Sequence, residues 1–105
     1  MEQPNIDYIL KLSANDERVK TKLIDTMKFE LPMEIDAYLV SVHLKKTTQA
    51  AACVHKLKNK IGILGLEEGY HIAEEYENQL KNREKKLQIE FENILTLMQN
   101  FVNSL

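Results

Sequence analysis

An imidazole and an ammonium three residues apart, those of His55 and Lys58, are the side chains whose type and spacing suit them to chemistry. An imidazole stays largely neutral near pH 7 yet keeps a nucleophilic ring nitrogen, which suits it to covalent group transfer. On a helix, a lysine three positions on lies about 60° around and one turn along, so its ammonium faces an anionic group such as a phosphoryl carried by the ring. Periodicity makes the surroundings a helix and sets His55 apart. With Leu57 as zero and about 100° per residue, Ala50, Cys53, Val54, Ile61 and Leu64 fall within about 60°, whereas His55 sits at about 160°. The spacing predicts an outward His55 among Thr48, Ala51, Ala52, Asn59 and Gly62. Such a face is small and flat where a solvated helix would carry long charged side chains, and it suits a docked partner.

The stretch HKLKNKIGILGLEEGYHIAEEYE, His55 to Glu77, resembles histidine-containing phosphotransfer (HPt) domains. The resemblance rests on His55, Leu57 and Lys58, on Gly65 ten residues after the histidine with Leu66 following, and on Glu77 twenty-two residues after it. It implies a helical bundle in which His55 accepts a phosphoryl group from the aspartyl phosphate of one receiver domain and passes it to another. It further implies receiver domains of response regulators and a hybrid sensor histidine kinase as partners, and Lys58 as the cation that neutralises the phosphoryl charge. Phosphoryl transfer needs in-line positioning and charge neutralisation, so one nucleophile and one cation suffice when the partner brings the metal. A hairpin at Gly65 would bring Glu77 beside His55, because antiparallel helices juxtapose residues about equally far from their turn. A carboxylate there fixes the ring's tautomer and angle. Its alternative is membership of an acidic face with Glu74 and Glu75.

Two positions depart from the family pattern. Asn59 stands where the family most often has Gly, taking room beside the histidine or offering it a hydrogen bond. Gly69 falls inside the following helix, where the family packs a larger residue, at about 1 kcal/mol relative to Ala; a locally loosened hairpin is expected.

Composition bounds the rest. A chain of 105 residues is one domain, 1–105, large enough for a single core without staples. Its net charge of −2 argues against a nucleic-acid binder. No apolar run approaches the roughly 18 residues of a membrane span, and MEQPNIDYILKL lacks a basic-then-apolar leader, so a cytoplasmic location is expected. Beginning at Met1 without linker-like ends, the chain is expected to stand free, as a monomer. The single Cys53 reads as a small core residue. No nucleotide-binding loop is present, so autophosphorylation from ATP is not expected, nor is a cofactor. Glu68 and His71 have the Glu-x-x-His spacing of di-metal bundles, but neither His43 nor His55 supplies the second pair, so no metal is expected. His43 and His71 read as surface or rim residues.

With three Gly, two Pro and no β-branched alternation, the fold is expected to be all-α: an antiparallel up-down four-helix bundle with a short extra N-terminal helix. The short helix spans about Ile6 to Leu12, with Ile6, Ile9 and Leu10 closing one end of the core. Ser13 or Asn15 caps the next, beginning near Asp16, with Val19, Leu23, Ile24 and Met27 inside. A kink or fresh start at Pro32 leads on to Ile35, Leu39 and Val42. Thr47 or Thr48 caps the His55 helix, which stops at Gly65. Leu66, Tyr70, Ala73, Tyr76 and Leu80 trace the fourth, and Leu87, Phe91, Ile94, Met98, Phe101 and Leu105 the last. Lys45, Lys46, Lys56, Lys58 and Lys60 make the His55 region basic against Glu67, Glu68, Glu74, Glu75 and Glu77. Apart from Lys58, these read as solvated faces, alternatively as steering charges for an acidic partner. A helical adaptor that binds or sequesters a partner through the same face, without phosphorylation, is the competing function.

Overall fold

The computed structural model describes residues 2–105, which are all-α: α1 (Asp7–Ser13), α2 (Glu17–His43), α3 (Thr47–Ile63), α4 (Glu67–Lys81) and α5 (Gln88–Asn103). No strand occurs among the described residues. α2 packs on α3, α3 on α4, α4 on α5 and α5 back on α2, while α1 lies against α2. The shared interior holds Leu31, Tyr38, Val54, Leu57, Ile61, Tyr76, Phe91 and Met98, none more than 1% exposed. Phe91 meets the Tyr38 ring edge-on at 5.1 Å and the Tyr76 ring tilted at 5.1 Å. The two phenols are joined at 2.7 Å, and the Tyr38 hydroxyl donates to Glu92 Oε2 at 2.9 Å, so these two buried phenols are satisfied across α2, α4 and α5. Burial, then hydrogen bonding to Tyr76 and Glu92, pushes the Tyr38 phenol far above its usual pKa.

α2 differs from its sequence expectation in three ways. Its cap is Asp16 itself, whose carboxylate accepts from the Arg18 and Val19 amides at 2.9 and 3.4 Å; Ser13 ends α1 and Asn15 has positive φ. The helix runs through Pro32 without restarting, because Pro32 is exposed and the carbonyl it deprives of a partner can be solvated. Its inner stripe is Met27, Leu31, Tyr38 and Ser41, with Leu23, Ile24, Ile35 and Val42 half-buried, whereas Val19 and Leu39 are exposed. Leu10 of α1 is likewise exposed, leaving Ile9 to close the core. In α5, Leu95 and Val102 share the buried line with Phe91 and Met98, and Leu105 lies beyond the helix.

The α3–α4 turn is where the chain reverses. α3 ends at Ile63, and Gly65 takes φ +77°, with its amide on Gly62 O at 3.0 Å and the Leu66 amide on Ile61 O at 3.2 Å. This is the Schellman arrangement the sequence signals through Gly65. The N-terminal residues clamp it. The Asn5 amide donates to Leu64 O at 2.8 Å, and the Glu2 carboxylate accepts from the Glu68 and Gly69 amides at 2.9 and 3.0 Å, capping an α4 that has no side-chain cap from its own Leu66. α3 likewise starts after Lys46 with no side-chain cap, so neither Thr47 nor Thr48 serves as one. A Cβ on Gly65 would lie 2.6 Å from Asn5 Nδ2. Gly65→Ala therefore combines left-handed strain with a clash, and is expected to lower unfolding free energy by about 2 kcal/mol in urea titration, with part of the loss recovered in Asn5→Ala/Gly65→Ala.

Candidate functional site

α3 and α4 run antiparallel from this turn, so Lys58 meets Glu74, and His55 meets Glu77. His55 Nδ1 lies 3.2 Å from both Glu77 oxygens, while the His55 side chain remains 66% exposed. Glu77 is turned inward, its side chain only 9% exposed, and is surrounded by cations: Lys58 Nζ donates to Oε1 at 3.2 Å and Lys81 Nζ reaches Oε2 at 3.1 Å. Burial alone would raise this carboxyl's pKa, but the hydrogen bonds from Lys81, His55 and Lys58 outweigh it and hold the carboxyl below the usual range. An ionised carboxylate only accepts, so His55 donates from Nδ1 and the Nε2 lone pair points away from Glu77.

Lys58 is held rather than free. Its side chain is 14% exposed, in contact with Glu77 and 3.9 Å from Glu74, with the ammonium 5.5 Å from the Tyr70 ring centre. That ring lies beside Gly62 of α3, where a Cβ would sit 3.5 Å from Tyr70 Cδ2, an ordinary contact. Gly62→Ala should thus raise stability by up to about 1 kcal/mol through helix propensity, read as a higher urea midpoint. His55, Asn59, Gly62, Ile63, Tyr70 and Tyr8 border a groove of about 730 Å³.

No family model, curated protein or solved structure matches this chain. Its site is therefore read from its own geometry.

His55, Lys58 and Glu77 are brought together as the spacing predicts, and Ala52, Asn59 and Gly62 are exposed beside them. Ala51 is not. It is 3% exposed, packed in the core that α3 shares with its neighbours, so the wheel's outer assignment is corrected for this residue. A helix flanked on both sides by others buries more than half its circumference, and only a narrow strip around His55 stays open. Lys60 is a second correction: it is 8% exposed and bridges to Glu30 and Glu34 of α2 at 2.9 and 2.7 Å instead of forming part of a solvated basic face. Gly69 is a third. It sits in the first turn of α4, buried, where a Cβ would lie 3.2 Å from Leu66 Cβ and 3.3 Å from Ile61 Cγ2, so its smallness lets α3 and α4 close tightly rather than loosening them. Lys81, the second cation on Glu77, has as its sequence signal the four-residue step from Glu77, meaningful only once Glu77 is known to face His55. His43 and His71 are exposed, and among the described residues no cluster of three or more His, Cys, Asp or Glu is arranged to hold a metal ion. Cys53 is half-buried against the core. No helix among the described residues is long and apolar enough to cross a membrane.

Proposed function

We propose that the chain is an HPt-like phosphorelay carrier, an up-down four-helix bundle of α2–α5 with α1 as the extra N-terminal helix, working in the cytoplasm. The observation that carries this reading is an exposed imidazole whose Nδ1 is held by a buried, ionised carboxylate, leaving Nε2 as a fixed and reachable nucleophile. In the transfer, the Nε2 lone pair attacks the phosphorus of a receiver's aspartyl phosphate. The N–P bond forms as the P–O bond to the aspartate breaks, and the aspartate carboxylate leaves. The ring keeps its Nδ1 proton and becomes cationic, a charge that Glu77 stabilises at 3.2 Å. Lys58, held on that carboxylate in the resting site, swings from it to neutralise the phosphoryl oxygens, while Lys81 stays on Glu77 to hold it ionised. Attack by a second receiver's aspartate reverses the sequence, and the phosphorylated ring is the intermediate between them. Partners are the receiver domains of response regulators, with a hybrid sensor kinase as one source of the phosphoryl group. The strip of Ala52, Asn59 and Gly62 lets a receiver's active-site loops approach Nε2.

The test is incubation with a receiver precharged from a small phosphodonor. Acid-labile, base-stable label should appear on the wild type and be lost in His55→Gln. Label persisting in His55→Gln, or absent with every cognate receiver, would favour the adaptor that binds through the same face without chemistry.

A further inference from the structure

Glu77, Lys58 and Lys81 all stand on one side of the imidazole. Lys58, about 60° round α3 from His55 toward α4, is held on Glu77 at 3.2 Å, and Glu77 in turn holds Nδ1. The Nε2 lone pair, where a phosphoryl group bonds, therefore faces the opposite side of the exposed strip. Within one turn of His55 that side carries Ala52, about 60° round, and Asn59, about 40° round, both exposed. The Ala52 methyl cannot donate a hydrogen bond, whereas the Asn59 carboxamide offers two N–H donors. Asn59 stands roughly 6 Å along the helix, and a helical side chain covers the turn N-terminal to its own Cα, which here is the turn beginning at His55. His55 and Asn59 border the same groove. Lys56 is the next residue round, at about 100°, on the flank where α3 meets α2.

We propose that Asn59 is a ligand of the phosphoryl group, its Nδ2–H donating to a non-bridging oxygen of the group on His55 Nε2 from the side opposite Lys58. The inference rests on the carrier reading in taking His55 as the phosphoryl acceptor. The two donors then divide the work. Lys58 has to leave a buried carboxylate to reach the group, whereas exposed Asn59 only exchanges water for a phosphoryl oxygen. A hydrogen bond to an anionic oxygen is of the stronger, charge-assisted kind. Being neutral, the carboxamide also leaves the charge balance between the ring and Glu77 undisturbed, and it acts on the charged form of the carrier alone. The contact makes and breaks no covalent bond; it lowers the free energy of the phosphorylated ring and so sets how much of the phosphoryl group the carrier retains against another acceptor.

The probe is phosphoimidazole, with no receiver present. Nε2 attacks its phosphorus, the N–P bond to His55 forms as the donor's own N–P bond breaks, and imidazole leaves with the electron pair of that bond. Because like bonds are exchanged, the equilibrium ratio of charged His55 to phosphoimidazole, read by ³¹P NMR, reports the surroundings of the bound group. Asn59→Ala, a change at an exposed position that should keep the wild-type melting temperature, is expected to lower this ratio about tenfold. Asn59→Asp should lower it further, since its carboxylate repels the phosphoryl oxygens. In the wild type, charging should move the Asn59 side-chain amide protons downfield, and His55→Gln should abolish that shift. A ratio for Asn59→Ala within twofold of wild type overturns the proposal, as does a higher one, which would mean that the side chain merely crowds the ring. So does a wild-type ratio in Asn59→Asp, or a His55 that takes no phosphoryl from phosphoimidazole. A charged His55 that exchanges with no receiver would instead sink the carrier reading and leave the Asn59 contact standing.

Discussion

Glu77→Ala is expected to slow labelling of His55 by a precharged receiver about 100-fold while leaving the nucleophile in place. The wild-type ring is held through Nδ1 at 3.2 Å from both Glu77 oxygens, and the side chain is otherwise exposed, so no other hydrogen bond fixes its angle. Removing the carboxylate frees the ring to rotate and to place its proton on Nε2, where it blocks attack; misplacement on the scale of 1 Å costs about this factor. Glu77→Gln separates orientation from charge. Its amide oxygen still accepts from Nδ1, but it does not stabilise the cationic phosphoimidazole, so a loss of only about 10-fold is expected, or about 1.4 kcal/mol of transition-state stabilisation. The check is single-turnover labelling together with ¹⁵N spectra of the imidazole, which report the tautomer directly. Labelling of Glu77→Ala within about twofold of wild type would remove Glu77 from the mechanism.

The same carboxylate makes stability depend on pH with a definite sign. Its folded pKa is depressed, since the hydrogen bonds from Lys81, His55 and Lys58 outweigh the burial that alone would raise it. The stabilisation is therefore complete above the unfolded carboxyl value of about 4.3 and is lost as pH falls through the lower folded value. Urea titrations between about pH 5 and pH 2 should show this component in the wild type and not in Glu77→Gln. An identical acid dependence in both would mean that the hydrogen bonds from Lys81, His55 and Lys58 contribute nothing to folding.

The cluster of His55, Lys58 and Glu77 was legible in the sequence because it depends on one local device. A glycine that ends α3 in a left-handed turn forces α4 back along it, and residues equidistant from the turn then meet, so His55 and Glu77 can be paired by counting. What depends on a third element was not legible. Ala51 lies toward the outside of an isolated α3 but is covered once the neighbouring helices pack around it, and Lys60 looks like any surface lysine until α2 brings Glu30 and Glu34 to it. The exposed side of α2 misled in the other direction: a helix apolar on two faces offers two possible inner stripes, and Val19 and Leu39 were read inward while Leu31 and Tyr38 form the core. The clamp of Glu2 on the Glu68 and Gly69 amides spans more than sixty residues and leaves no periodic trace at all.

Lys60→Ala should be among the most destabilising single changes, about 3 kcal/mol by urea titration. The ammonium is 10% exposed at its side chain and sits between Glu30 and Glu34, and Glu34 Oε1 is already buried without a hydrogen-bond partner. Removing the cation strands a carboxylate that is itself only 16% exposed, which is the costly case; the half-exposed Glu30 can turn to water and softens the loss. Lys60→Met/Glu34→Leu takes away both buried charges and keeps the volume, so it should recover most of the loss, because buried ion pairs are often replaceable by apolar packing. The pH signature is opposite to that of Glu77. Burial lowers the Lys60 pKa, but hydrogen bonds to Glu34 and Glu30 raise it further, so the pair's contribution is complete below about pH 10.4 and declines as pH rises through the higher folded value. The double variant should lack that alkaline decline. If Lys60→Ala proves as stable as wild type, the bridge between α2 and α3 carries no weight, and the alignment of the two helices rests on their apolar contacts alone.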